Sequence, residues 1–597
     1  MASSNKYDRQ LRLWGAAGQE SLALSHVVLL GCEGTVGCET LKNLILPGIG
    51  GFTCIDKEIW GGPTSTPPSS SSSPPLIPSS NFFIPPPLPT SPPQPLASVV
   101  SSTLQELNPD VTGSYLVPSC SLHEFISNSV PTASTSTTSL KVFLTENPNI
   151  PYPPPNLPSQ SGARGTALLV GSDLNPESSL ALSKVARELG VPLLLVRTYG
   201  MIGTLRIQAG GEEFNVVEPR GEGKKWDLRI RETVEDPSSF PALSSYVSSL
   251  VSSLPTMDQQ EHGHVPYVAI LMSTLSNWRS THSGNVPTTF QEKAEFRDMV
   301  EKGSRDFGME VNYQEAKREA YLAYGDVQEI PEHVKDIMGR DSVQKLTKGS
   351  GSFDILLSAL SEFAKTHNGC PPMNGSIPDM TASSTSYIDL QGIYFERSKR
   401  ELEEFTGIVE NRLKELGLPV EYIPLPTIST FAKNVPNLTV VQSRSYHSEV
   451  TEPAGEEERE AVQGLVWDPH SDAPVHTPLL WWVGIKSAEE YHRVKGTWPG
   501  VGDKGELEKI AVSLLLRYGL SLEAPGSSSG GLLSPSNLSL VLGEIIRYEG
   551  SENHCVGSVT GGVAGQEGVK VITGIYTPVD NTYVFNGIAG VAGVVKG

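Results

Sequence analysis

The sequence predicts an α/β protein in which a doubly wound domain, built on a parallel sheet, is interrupted by a mostly helical insertion. Three observations predict it. A strand–glycine turn–helix–strand unit occupies residues 21–60, a second strand–helix–strand unit occupies 167–196, and from about 213 to 534 the pattern changes to helical segments joined by polar loops. A crossover helix returns the chain to the same end of the sheet, so strands joined this way run parallel. At 597 residues the chain exceeds one ordinary domain. The expected division is 1–212 and 535–597 as two parts of one domain, with 213–534 inserted between them.

Each element has its own justification. Val27-Val28-Leu29-Leu30 is wholly apolar, as expected of a strand covered on both faces. Glycines follow at 31, 34 and 37. Glu39 to Ile45 has helical spacing, Pro47-Gly48 ends that helix, and Gly51 to Asp56 reads as a second strand closing on an acid. In 61–97, thirteen of the 37 residues are Pro and nine are Ser, a mixture that can bury little and is expected to be disordered. The stretch from about 128 to 164 has the same character. Between them a helix is expected to end near Leu104–Pro109. Ala167–Val170 and Pro192–Val196 read as strands around a helix that ends at Leu189-Gly190. Helices are expected at 291–302, 311–324, 353–366 and 393–416. Residues 556–572 form a Gly/Ala-rich helix that should pack closely on a neighbour, because small residues let backbones approach. Thr582–Phe585 is strand-like.

Composition excludes several functions. Forty-five Lys+Arg against 66 Asp+Glu give a net charge of −21, which opposes nucleic-acid binding, since that needs a basic face to displace counterions. Six cysteines without a CxxC pair give neither a disulfide framework nor a zinc ribbon, and the twelve histidines show no metal-ligand spacing, so no metal site is expected. His262, His264 and His447 read as solvated loop residues. No apolar run approaches the ~20 residues of a spanning helix, and MASSNKYDRQ contains no signal core. The expected location is the cytoplasm or the nucleus, with no membrane partner.

Glycines after an apolar strand allow a backbone to approach phosphate at a helix N-terminus. Asp56, about 20 residues on, stands where an acid could hold a ribose hydroxyl. The spacing is G-x-x-G-x-x-G rather than G-x-G-x-x-G, and Glu33 inside the turn would oppose a triphosphate. Nucleotide binding and plain helix–sheet packing both remain open on pattern alone.

Longer motifs carry a resemblance. Tyr7-Asp8-Arg9-Gln10-Leu11-Arg12-Leu13-Trp14-Gly15, then Gly37-Cys38-Glu39-Thr40-Leu41-Lys42-Asn43-Leu44, resembles the opening of the ubiquitin-activating enzyme superfamily. Leu46-Pro47-Gly48-Ile49-Gly50, Arg197-Thr198-Tyr199-Gly200, Gly375-Ser376-Ile377-Pro378-Asp379-Met380 and Gly561-Gly562 with Gln566-Glu567 narrow it. Together they resemble the regulatory subunits of heterodimeric neddylation activating enzymes, of the amyloid precursor protein-binding protein 1 type. The resemblance runs from residue 7 to about 590, broken by the two low-complexity stretches.

The resemblance implies a Rossmann-like adenylation-type domain and a division of labour. Active members read Gly-x-Gly-Gly-x-Gly where this chain has Cys32, Glu33, Gly34, Thr35, Val36 and Gly37, so two of four glycines are lost. Gly34, Gly37 and Asp56 would then be vestiges of a cofactor site. Asp173 stands roughly where active members keep a magnesium-binding Asp, without the usual following Arg. The helical region would match the catalytic-cysteine half-domain without its cysteine, since Cys370 lies in Asn368-Gly369-Cys370-Pro371-Pro372, the wrong context. This chain is thus expected to bind no cofactor, with ATP and Mg held by a catalytic partner. The other expected partners are a ubiquitin-like modifier and the conjugating enzyme. Arg9 is expected to reach across the subunit interface to the partner's ATP phosphates, which a guanidinium fork suits. The plainer alternative is a surface ion pair of Asp8 with Arg12 on the same helix. Two rival functions remain: a self-sufficient adenylating homodimer, and a nicotinamide-dependent oxidoreductase using the glycine turn and Asp56.

Overall fold

The computed structural model describes residues 6–60, 81–85, 92–127, 139–152, 165–211, 213–217, 226–325, 329–467, 473–523 and 531–597. The chain forms two compact units, one from Met1–Val216 with Val440–Gly597, the other from Val217–Thr439.

The first unit is built on an eight-stranded sheet. Its strands are β1 (His26–Leu30), β2 (Gly51–Ile55), β3 (Thr112–Leu116), β4 (Ala167–Ser172), β5 (Leu193–Tyr199), β6 (Ile202–Gln208), β7 (Thr582–Asn586) and β8 (Val591–Val595), in the order β8-β7-β6-β5-β4-β1-β2-β3. The strands from β3 through β5 in that order run parallel, with Val28 beside both Thr53 and Leu169. The remaining pairings, β5 with β6, β6 with β7 and β7 with β8, are antiparallel, so the sheet is mixed rather than parallel throughout. The apolar run of β1 is buried as expected: Val27 and Leu29 join the core on one face, Val28 and Leu30 the core on the other.

Helices cover both faces. α1 (Asp8–Ala23) is interrupted at Gly15, whose φ of 70° is not helical. α2 (Thr35–Ile45), α3 (Leu96–Gln105) and α6 (His554–Thr573) add to one core, and α4 (Pro176–Leu189) covers the other face. α4 starts where Asn175 accepts the Ser178 N–H at 2.7 Å, with Pro176 in the first turn. The Gly-rich helix α6 packs on α2 as its composition predicts. A Cβ at Gly561 would lie 2.6 Å from Glu39 Cβ, and one at Gly557 would lie 2.9 Å from Thr35 Cγ2.

The boundary expected at 534 lies instead after Thr439. The cause is α5 (Pro478–Lys495), whose Trp481 and Trp482 pack in one core with Val584 of β7 and Val595 of β8. Buried charges add to that junction. Arg206 of β6 pairs with Glu449 at 2.6 Å, Lys486 of α5 pairs with Glu449 at 3.1 Å, and Arg197 pairs with Glu489 at 3.1 Å.

Two further expectations are corrected. Residues 81–85 and 92–97 of the Pro/Ser-rich stretch are ordered, with Asn81 buried and α3 beginning at Leu96. Within 128–164, Leu140–Glu146 is a helix, because Leu140, Leu144 and Ile150 supply an apolar face to the core beside β4. Residues 61–80, 86–91, 128–138 and 153–164 lie outside the described residues.

The second unit is helical among its described residues, and the expected helices stand at Phe290–Lys302, Val311–Arg318 with Tyr321–Tyr324, Ser352–Thr366 and Ser384–Glu415. Its core gathers Phe240, Trp278, Phe296 and Tyr394. His262 is buried rather than solvated: its Nδ1 lies 2.7 Å from Glu310 Oε1, and its ring stacks on Tyr313.

Candidate functional site

β1 is flanked by β2 on one side and β4 on the other, so the chain changes direction across the sheet between β1 and β4. In open α/β sheets ligands bind outside the carboxyl ends of strands at such a switch point. Here the crevice is formed by the Gly31–Thr35 turn after β1, the Ser172-Asp173 end of β4, the Thr198 end of β5 and the loop leading into α6.

The structure brings Gly34, Gly37 and Asp56 together at this point, but each is occupied. The Gly37 N–H donates to Ser172 Oγ at 3.1 Å, and side chains at Gly34 or Gly37 would collide with Ser172 or Asp173. Both glycines therefore serve the close approach of α2 to the end of β4, the packing alternative. Asp56 Oδ2 accepts the Cys32 N–H at 2.6 Å and Oδ1 accepts the Glu58 N–H at 3.0 Å, so its carboxylate fixes the turn. Asn81 braces the same turn by donating to the Glu33 carbonyl at 3.0 Å and to Cys38 Sγ at 3.4 Å.

The N-terminus of α2, where a phosphate would sit in a nucleotide-binding fold, already holds an anion of the chain's own. The Thr35 N–H donates to Glu552 Oε2 at 2.9 Å, and Thr198 Oγ1 lies 3.4 Å from the same oxygen. Glu552 is delivered by two local devices. The Gly200 N–H donates to the Ser551 carbonyl at 2.6 Å, in a position with φ of 59° where a side chain would strike the Tyr548 ring. Asn553 caps α6 by accepting the Cys555 N–H at 3.0 Å. The Arg197-Thr198-Tyr199-Gly200 motif thereby holds the loop that closes the crevice. Thr35 is fully buried and its hydroxyl has no hydrogen-bond partner among the described residues.

Electrostatics reinforce the closure. Desolvation, with the nearby charges of Asp56, Glu58 and Glu552, holds the Glu33 carboxyl above its ordinary range. Desolvation and Glu552 likewise push Asp173 up to about 7, against the opposing pull of Arg197 and the Thr198 N–H. Asp173 itself has a φ of 46° and its Oδ1 accepts that N–H at 2.9 Å. A triphosphate would meet the Glu552 side chain already seated on the α2 N-terminus, with Glu33 and Asp56 beside it.

Arg9 stands differently. It is exposed on the first turns of α1, and among the described residues it has no hydrogen-bond or ion-pair partner. The Asp8–Arg12 pair does form, at 2.9 Å, and leaves Arg9 out. In the second unit Cys370 is 2% exposed, and burial pushes its thiol up to about 11. It sits beside Arg229, which pairs with Asp227 at 2.9 Å and Glu232 at 3.0 Å. A buried, protonated thiol is a poor nucleophile, because the thiolate is the reactive form. Among the described residues no cluster of His, Cys, Asp and Glu could hold a metal ion, and no helix is long and apolar enough to cross a membrane.

Sequence reading missed Glu552. It pairs with Thr35 across more than 500 residues, and nothing in its own neighbourhood signals the role.

The ThiF family model matches residues 7–59, the segment that carries α1, the glycine turn and β2, which defines the first unit as an adenylation-type α/β domain. Among solved structures, E. coli MccB crystallised with MccA covers 35% of this chain and 50% of its own, at 14% identity and a TM-score of 0.24. The NEDD8-activating enzyme E1 regulatory subunit AXR1 of Arabidopsis thaliana is 30% identical over 98% of this chain and 94% of its own length. The corresponding subunit of Gallus gallus is also 30% identical, over 98% and 96%. The chain belongs to the family of NEDD8-activating enzyme E1 regulatory subunits.

Proposed function

We propose that this chain is the non-catalytic subunit of a heterodimeric activating enzyme for a ubiquitin-like modifier of the NEDD8 kind. Its catalytic partner holds ATP and Mg, joins the modifier's C-terminal carboxylate to the α-phosphate with loss of pyrophosphate, and then takes the modifier as a thioester on its own cysteine with release of AMP. The modifier then passes to a conjugating enzyme. The observation that carries this reading is the Glu552 carboxylate on the α2 N-terminus, in a crevice already rich in carboxylates. The buried Cys370 supports it, because no thioester is expected on a thiol so far from ionisation at neutral pH. The cytoplasm or nucleus, where such modifiers act, is the proposed location.

Arg9 is this chain's contribution to the chemistry. When the modifier carboxylate attacks the α-phosphate, negative charge develops on phosphate oxygens, and a guanidinium with no competing partner can meet it. Charge-assisted hydrogen bonds contribute about 1.5–3 kcal/mol, so Arg9→Ala should slow adenylate formation roughly 10–150-fold. The measurement is single-turnover adenylate formation by the reconstituted complex at saturating modifier, with assembly followed by gel filtration. Arg12→Ala is the control. Equal rates for wild type and Arg9→Ala would leave the chain a scaffold only.

A further inference from the structure

Arg9 projects from a segment that the helix alone does not hold. α1 breaks at Gly15, so residues 8–14 are separated from the part of α1 that packs on the sheet. Both ends of this short segment are nevertheless pinned. At the far end Trp14 is buried, its Nε1 donates to Gln19 Oε1 at 3.0 Å, and Gln19 Nε2 donates to the Pro47 carbonyl at 2.8 Å. At the near end stands Tyr7, two residues before Arg9.

Tyr7 is seated on three groups. Its hydroxyl donates to Asp110 Oδ2 at 3.1 Å and accepts from Asn108 Nδ2 at 3.1 Å. Its ring lies over Gly48, where an added Cβ would fall 2.8 Å from the ring carbon that bears the hydroxyl. Gly48 has a φ of 91°, in the left-handed region that favours glycine, so the residue is required both by the backbone and by the ring above it. Asn108 is the centre of the arrangement. It is 1% exposed, donates to the Ile45 carbonyl at 2.9 Å, and accepts from Lys6 Nζ at 2.6 Å. One buried amide thus ties the residues just before Arg9 to the C-terminal end of α2, the helix behind the glycine turn.

We infer that Asn108 is a positioning residue for Arg9: with Gly48 it seats Tyr7 and so fixes the direction in which the Arg9 segment leaves the body of the domain. The inference rests on the trans role proposed above for Arg9. It adds that this role depends on a buried amide about a hundred residues away. Reaction geometry is sensitive to such placement, since a misplacement of ~1 Å can cost ~100-fold in rate.

The test is a double-mutant cycle on the full heterodimer, read by single-turnover adenylate formation at saturating ATP and modifier. Asn108→Ala, Tyr7→Phe and Gly48→Ala are each made in the wild-type chain and in the Arg9→Ala chain. Tyr7→Phe removes only the hydroxyl and leaves the Asn108–Ile45 bond intact, so it serves if Asn108→Ala fails to fold. The expected result is a slowing of roughly tenfold or more for Asn108→Ala, less for Tyr7→Phe, and under about twofold for either in the Arg9→Ala background. Assembly by gel filtration should not change. If the same factors appear with and without Arg9, the cluster is only structural and the inference fails. It also fails if Arg9→Ala is slow while Asn108→Ala and Tyr7→Phe are fast. Equal rates for Arg9→Ala and wild type would defeat the Arg9 reading itself, a distinct outcome.

Discussion

Asp173 stores a proton equilibrium at the closed crevice. Its carboxyl is displaced from 3.8 to about 7, first by desolvation and then by Glu552, while Arg197, the Thr198 N–H and Ser172 oppose the shift. A folded pKa above the unfolded one means the native state holds the proton more tightly. The stabilisation from Asp173 is therefore complete below about pH 4 and is lost as pH rises through about 7. One proton limits the slope to ~1.4 kcal/mol per pH unit. Between pH 5 and 8 the wild type should lose stability more steeply than Asp173→Asn, followed by urea unfolding of the isolated chain. Asn tolerates the left-handed φ of this position, so the substitution removes the charge and keeps the backbone. Glu552→Gln should flatten the profile too, because it removes the second cause. Parallel profiles for wild type and both variants would contradict this electrostatic account. Residue types place Gly34, Gly37, Glu33 and Asp56 at one turn but do not say what they do there: the glycines admit α2 to the end of β4, and Asp56 holds the Cys32 N–H. Glu552 was not legible, because its partner Thr35 lies at the other end of the chain and no local pattern encodes such a contact.

Among the elements, α6 shows what a glycine pattern can and cannot say. Its Gly content announced close packing, and the α2–α6 contact delivers it at Gly557 and Gly561. The pattern did not say which glycines face the neighbour. Gly561 does, with Glu39 Cβ and the Thr40 N–H in the way of any side chain, whereas nothing lies within 4 Å of a Cβ at Gly562. Gly561→Ala should cost ~1–3 kcal/mol by overpacking, while Gly562→Ala should be neutral or stabilise by up to ~1 kcal/mol through helix propensity. Thermal or urea unfolding of the isolated chain compares the two, and equal destabilisation would show that the contact is not as described. The strands tell a related story. β1 was legible because it is buried on both faces and therefore wholly apolar. β6 was not, since Ile202-Gly203-Thr204-Leu205-Arg206-Ile207-Gln208 mixes glycine, a cation and an amide, and its Arg206 is buried because Glu449 and the Arg444 and Ile207 carbonyls meet it. A charge that tertiary pairing makes acceptable reads in sequence as a surface residue.

On the scale of the molecule, the sheet unit takes in 440–534 for reasons invisible to local pattern. Within a run of helical segments nothing sets α5 apart, and its two buried tryptophans against β7 and β8, with the Lys486–Glu449 and Arg197–Glu489 pairs, show where it belongs. The same unit carries both halves of the proposed function: a crevice in which the chain's own Glu552 takes the α2 N-terminus, and an exposed Arg9 proposed to serve another subunit. If both are correct, the assembled enzyme has one nucleotide site, supplied by the partner. The direct measurement is the stoichiometry of ATP binding, by equilibrium dialysis or calorimetry, to the isolated chain and to the purified heterodimer without modifier. The predicted result is no saturable binding to the isolated chain and one ATP per heterodimer. Two ATP per heterodimer, or saturable binding to the isolated chain, would contradict the account.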